Sequence, residues 1–416
     1  MKKKLFTLAM TIAMLSLATA CGDDKAKQST KENGKGDNKQ EVIETTTEEI
    51  VYVIPEGGKY RVYETRETLE AGATMPLMAK TGDRYYYGDY EYSMEETGWK
   101  VGLQSYDDCR DKASFGEILD SIAGMPIVDV SNLFRDCAAM TKSPSIPSTV
   151  TDISSTYSGC SSLVEAPELP SCVINMEYTF SGCISLEEIS EIPSDVTNMH
   201  STFYGCISLV EVPEIPSGVV DMKSTFSKCH GLVEAPTIPT GVTNMDSTFY
   251  DCDSLVEAPT IPTGVTNMTS TFQYCEKLVV APEIPATVTE MHSAFYECKS
   301  VETASSIPNG VVSIRETFYG CENLKEAPEI PDSVTDMTMA FMGCVNMVKA
   351  PTTIPAGVKN MQRAFWGCTS LTGTITINAD PSNILQCFEY IDFEGQNLEL
   401  TGESTMLERF MKTGIN

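Results

Sequence analysis

The stretch STFYGCISLVEVPEIP, Ser201–Pro216, sets Phe203, Cys206 and Leu209 three residues apart and then follows them with two prolines, Pro213 and Pro216. The same arrangement returns 23 residues later at Phe226, Cys229 and Leu232, and again at Phe249, Cys252 and Leu255. One step earlier it stands at Phe180, Cys183 and Leu186. Followed both ways, the cysteine column runs from Cys137 to Cys344 in steps of 23 and reaches Cys368 after 24, because Thr352 and Thr353 stand where other units hold one residue. That makes eleven units. Three places before each cysteine is an aromatic, and four places before the aromatic is Met, Ile or Val, as at Met199, Met222 and Ile314. An A-P-x-I-P element, as in Ala258–Pro262, lies between.

A fixed period in the twenties marks a solenoid. One unit holds about seven apolar side chains, worth about 1.5–3 kcal/mol each on burial. Against this stands about 1–2 kcal/mol of backbone entropy per residue. A single unit therefore does not fold; copies stacked in register do, because each side chain is buried against its equivalents above and below. The L-V-E-V segment predicts a short parallel strand, spaced about 4.8 Å from its neighbour and ended by proline, which cannot donate to the ladder. I-P-S-G-V is turn chemistry, with Gly218, Gly241, Gly264, Gly310 or Gly357 permitting the reversal. The M-x-x-x-F-x-x-C-x-x-L spacing keeps one face inward for about two turns of irregular or 3₁₀ helix. The fold class is an α+β repeat solenoid, about 50 Å long at strand spacing.

The phrases VTNMHSTFYGCISL (196–209), VTNMDSTFYDCDSL (242–255) and VTDMTMAFMGC (334–344) resemble the leucine-rich repeats of bacterial surface antigens of the BspA type. The resemblance covers roughly residues 116–377. It implies a solenoid displayed on the cell surface and a role in adhesion to host, matrix or other bacterial proteins. Proline is denser here than is usual in the strand of that family.

The ends differ from the array. Lys2–Lys4, an apolar run from Leu5 to Ala18 and LATAC closing at Cys21 form a targeting segment. It resembles a bacterial lipoprotein leader over residues 1–20, which implies lipidation of Cys21; an ordinary cleaved secretory signal is the alternative. Either way the mature chain is exported. Residues 21–49 are rich in Lys, Asp, Glu, Thr and Gly and predict a disordered tether. Residues 50–115 read as a small β-rich region that caps the first unit. In it Tyr85, Tyr86, Tyr87, Tyr90, Tyr92 and Trp99 pack a sheet or, on a competing view, stack on sugar rings. Residues 378–416 read as the C-terminal cap, with the chain from 372 breaking the period and ending in a short helix.

The net charge of −29 argues against nucleic acid as a partner. The F-x-x-C-x-x-L frame places the column cysteines in the core as free thiols. Equivalent side chains point the same way, whereas a disulfide needs facing Cβ vectors. Cys109, Cys172 and Cys387 stand off the column and are the better disulfide candidates. Glu165, Glu188, Glu211, Glu234 and Glu257 share the position five after the cysteine, and Glu168, Glu191 and Glu214 the position three later. They are a candidate face for a basic partner or for Ca²⁺, or a solvated face that confers solubility. His200, His230 and His292 lie in different units and do not converge; no phosphate loop, nucleophile elbow or zinc motif is present. The sequence therefore predicts a non-catalytic, cofactor-free surface protein that binds another macromolecule. The alternatives are a glycan-binding module led by the Tyr-rich region and a passive spacer.

Overall fold

The computed structural model describes residues 51–53, 62–64, 78–81, 84–105, 109–122 and 125–413, with side-chain environments from Gly88 onward. The leader, Cys21 and the tether lie outside the described residues. From Asp129 to Asn383 the chain is a stack of rungs joined by two ladders of single-residue parallel bridges. One ladder holds the Glu positions, with Glu165↔Glu188 and Glu234↔Glu257, and runs on to Lys349↔Thr372. The expected strand is therefore one residue long in most rungs; only near the end do β9 (Thr353–Ile354), β10 (Gly373–Ile377) and β11 (Leu398–Gly402) form a three-stranded parallel sheet.

The second ladder was not foreseen. It links Asp152, Asn175, Asn198, Asp221 and Asn244, each 23 residues from the next. Its polar side chains have a local task. Asn198 Oδ1 accepts the amide of His200 at 3.1 Å, and Asp221 Oδ1 that of Lys223 at 2.8 Å. This Asx turn starts the segment that carries the aromatic and the cysteine.

Of the two expected forms, irregular or 3₁₀ helix, that segment takes the irregular one. In the rung of Cys160, the amides of Thr156, Ser158 and Cys160 bond three residues back, to Ile153, Ser155 and Tyr157 at 3.0–3.2 Å. The amides between them, on Ser155, Tyr157 and Gly159, leave the segment for Glu177, Thr179 and Ser181 of the next rung at 2.7–2.9 Å. Alternation of this kind requires left-handed residues. Ser155 has φ 54° and Gly159 φ 78°; Ser201 and Gly205 repeat the pair at 52° and 72°. A side chain in that region costs about 1–2 kcal/mol. Gly182, at φ 75° with Gly159 Cα 3.6 Å from where a Cβ would sit, has room for a methyl but not the conformation. Gly182→Ala is expected to lower stability by about 1–2 kcal/mol, read as a shift of the urea midpoint at constant slope.

The glycines marked in the sequence, Gly218 and its equivalents, have no positive φ. Their turn is closed by Val219 N–H on the Pro216 carbonyl at 3.1 Å, and other rungs fill the position with hydroxyl or thiol groups. Thr287 Oγ1 donates to Val265 C=O of the preceding rung at 2.7 Å, and Cys172 Sγ to Ser148 C=O at 3.1 Å.

Eight strands precede and enter the stack: β1 (Val51–Val53), β2 (Val62–Glu64), β3 (Met78–Thr81), β4 (Arg84–Tyr87), β5 (Tyr90–Met94), β6 (Trp99–Leu103), β7 (Ser121–Ile122) and β8 (Met125–Asp129). β1 to β6 are antiparallel neighbours in order, and β6 pairs in parallel with β8, whose Asp129 begins the second ladder. Tyr90, Tyr92 and Trp99 turn inward, and Tyr90 packs edge-on to Phe134 of the first rung at 6.3 Å. At the far end the period does not break where expected. Ile384, Phe388 and Ile391 form a twelfth rung, with Phe388 stacked on Phe365 at 5.2 Å. The sequence hid it because Ile391 takes the cysteine position and Cys387 falls one place before the aromatic. Beyond it α1 (Ser404–Thr413), the only helix among the described residues, lays Met406 and Phe410 onto the core, and Phe410 meets Phe388 at 5.8 Å.

Candidate interaction surface

The interior decides what remains for the surface. Phe180, Cys183, Leu186, Phe203, Cys206, Leu209, Phe226, Cys229, Leu232, Phe249, Cys252 and Leu255 have no exposed surface. The rings stack parallel along the axis, with centroids 5.6–5.8 Å apart from Phe180 to Phe272, within the range of offset aromatic pairs. Each thiol donates to the carbonyl of the column aromatic in the rung before: Cys183 to Tyr157, Cys206 to Phe180 and Cys252 to Phe226, all at 3.1 Å. Cysteine suits this column because it is small and apolar yet carries a weak donor. Burial pushes these thiols up. A threonine column runs beside it, Thr202 Oγ1 reaching the Met176 carbonyl and Thr248 Oγ1 that of Met222, both at 2.9 Å.

All fourteen described cysteines are free, and Cys109, Cys172 and Cys387 do not stand apart from the array as expected. Cys172 takes the hydroxyl position of the proline turn, and Cys387 the threonine position of the twelfth rung. Cys109 extends the cysteine column one step beyond the first rung, next to Cys137. There Ala139 N–H meets the Arg110 carbonyl at 3.0 Å just as Ser162 N–H meets Ala138 at 3.1 Å.

Two rows of side chains project side by side from the Glu ladder. Glu165, Glu188, Glu211, Glu234 and Glu257 are exposed, and so are Glu168 and Glu214, which follow prolines, and Glu191, which follows Ser190. Among the described residues no Lys or Arg pairs with any of these eight; the cation on this column, Lys349 on Glu326 at 3.1 Å, comes later. One residue before four of the glutamates are valines that also face outward: Val164 at 41% exposure, Val210 at 51%, Val233 at 45% and Val256 at 39%. In a longer strand one of the two rows would turn inward. Here the pleat lasts a single residue, so both stay outside. The bridges lapse at Glu211, and a groove of about 470 Å³ lies beside that rung, lined by Val212, Pro213, Glu214, Ile215, Pro236 and Pro239 among others. Val212 stands where most rungs have Ala.

The segment carrying the cysteines presents a different surface. Tyr250, Tyr274, Tyr296 and Tyr319 form a row in contact, and Tyr296 and Tyr319 stack at 4.3 Å with 4° between planes. Charges along it are paired. Lys299 meets Glu276 at 2.7 Å, Lys223 meets Asp246 at 3.0 Å, and His230 lies 3.2 Å from Asp253. Partial burial pushes the Asp251 carboxyl up, with His230 opposing. His200 and His292 have their own carboxylates, Glu177 at 3.4 Å and Glu290 at 3.5 Å. No group of three or more His, Cys, Asp or Glu among the described residues could hold a metal ion, so the Ca²⁺ reading finds no cluster there.

A family model described as BspA type leucine rich repeat region (6 copies) matches residues 130–256, 175–302 and 289–401, together more than half the chain. The chain belongs to the BspA-type leucine-rich repeat family. Its fold is similar to that of a leucine-rich repeat protein from Bacteroides ovatus, at 21% identity and a TM-score of 0.50, over 81% of this chain and 98% of that one. It is also similar to a leucine rich cell surface protein from Faecalibacterium prausnitzii (20% identity, TM-score 0.45, 79% and 97% covered) and to the pneumococcal vaccine antigen PcpA (14%, 0.45, 83% and 98%). No curated protein matches the chain.

In this BspA-type chain the sequence missed two of the three outward rows. The valine row was legible as a column but was assigned to a strand whose alternation would have hidden one side of it. The tyrosine row drifts by one residue between rungs, Tyr250 standing two before Cys252 and Tyr274 one before Cys275, which blurs it in any fixed frame.

Proposed function

We propose that this BspA-type chain is a surface-displayed, non-catalytic binding protein, and that a cationic protein partner docks along its glutamate and valine rows. The observation that carries the reading is the run of five exposed carboxylates, Glu165 to Glu257, with no basic side chain paired to any of them among the described residues. Like charges stacked at rung spacing repel, so the row does not serve folding. Basic groups on a partner relieve that repulsion and speed encounter, while the exposed valines supply apolar area. The partner is a host or bacterial surface protein; lipidation of Cys21, the tether over 21–49 and the capping role of both ends belong to the same proposal. The glycan alternative loses Tyr90, Tyr92 and Trp99, which are buried.

The test is binding to an array of host matrix and bacterial envelope proteins, followed by triple charge reversal, Glu211→Lys, Glu234→Lys and Glu257→Lys. Binding is expected to weaken at least tenfold, mostly through the association rate, and the affinity of the unaltered chain to fall as salt rises. A partner held equally well by the reversed variant, or insensitive to salt, overturns the reading.

A further inference from the structure

From Cys160 onward the thiols lie parallel, each with its own carbonyl in the rung before at 2.9–3.2 Å, and none faces its neighbour. The start of the column is different. Cys109 Sγ and Cys137 Sγ are both directed at a single acceptor, the Arg135 carbonyl, at 3.7 and 3.9 Å. Sharing one acceptor brings the two thiols toward each other, whereas each later thiol of the column has a carbonyl of its own. Adjacent rungs stand about 4.8 Å apart, within the Cα separation a disulfide spans. What forbids the bond elsewhere is the direction of the side chains, and here that direction converges. Access differs too. Cys109 borders a pocket of about 250 Å³ lined by Gly88, Asp89, Gln104, Lys112 and Phe115 among others, whereas Cys183 to Cys368 are enclosed by rungs on both sides.

We infer that Cys109 and Cys137 form an intramolecular disulfide when a small-molecule disulfide enters the pocket beside Cys109. The Cys109 thiolate attacks one sulfur of the reagent, forming a mixed disulfide and releasing one reagent thiolate. Cys137 gives its proton to the thiolate released in the first step and attacks the Cys109 sulfur, releasing the second reagent thiolate, which takes a proton from water. Two protein thiols are oxidised and one reagent disulfide is reduced to two thiols, so atoms and electrons balance. The product ties the segment after β6 to the first rung and closes the end of the thiol column that borders the pocket, leaving the later thiols reduced.

The experiment treats the native purified chain with excess oxidised glutathione, quenches with acid, alkylates every remaining thiol after denaturation, and maps the peptides by mass spectrometry. The expected product is one cross-linked pair joining the peptides of Cys109 and Cys137, two hydrogens lighter than the reduced peptides, with Cys160 to Cys387 alkylated. Cys109→Ser, with Cys109→Ala as a second variant should serine not be tolerated, is expected to abolish the cross-link and leave Cys137 alkylated. A stable glutathione adduct on Cys109, a bond from Cys109 to any other cysteine, or a native chain left wholly reduced each overturns the inference.

Discussion

Phe226→Ala is expected to remove about 3–5 kcal/mol of stability, the range for emptying a fully enclosed aromatic site. The ring of Phe226 has no exposed surface and lies between Phe203 and Phe249, with centroids at 5.7 and 5.6 Å. Neither neighbour can close the gap, because each is held by its own rung through bonds such as Phe203 N–H to Thr225 C=O at 2.9 Å. Each rung is stabilised only by its neighbours, so urea unfolding should also separate into two steps, the rungs on either side of the cavity melting apart. A loss below about 1 kcal/mol, well under the cavity cost, would show that the rings do not form one continuous core. The column has a natural control. Tyr157 occupies it with its hydroxyl 2.8 Å from Ser143 Oγ. In the Phe226 rung the position corresponding to Ser143 is Val212. Phe226→Tyr should therefore cost about 1–3 kcal/mol for an unsatisfied buried hydroxyl, and adding Val212→Ser should recover part of it.

The second large effect is expected at the far end. Phe410 is 1% exposed and meets the ring of Phe388, whose other neighbour in the stack is Phe365. A terminal rung left bare exposes the whole apolar face that the next copy would have covered. Phe410→Ala should cost about 3–5 kcal/mol and release α1, although Arg409 still bonds Asp380 and the Pro381 carbonyl at its surface. Hydrogen exchange is the measurement: the amides of Phe365 and Cys387 should lose protection before those of Phe226 and Cys252. If exchange stays uniform and stability is unchanged, α1 does not close the array.

Which residues enter the core, and that they stack, could be read from the chain alone. Identical residues 23 apart have no local reason to recur, and only superposed copies make each buried residue the neighbour of its own kind. Tertiary structure decided where the backbone bonds go. An amide such as that of Ser155 can turn back within its rung or cross to Glu177 of the next. The choice depends on left-handed residues at Ser155 and Gly159, which side-chain periodicity does not report. From that choice follow the single-residue pleat that turns both Val233 and Glu234 outward, the burial of each thiol against a carbonyl one rung away, and the irrelevance of Gly218 to the turn it was expected to permit. The end of the array was also decided in three dimensions. Ile391 replaces cysteine without loss of apolar volume, so the stack accepts a rung that the motif does not recognise. Packing answers to size and polarity, whereas a motif answers to identity.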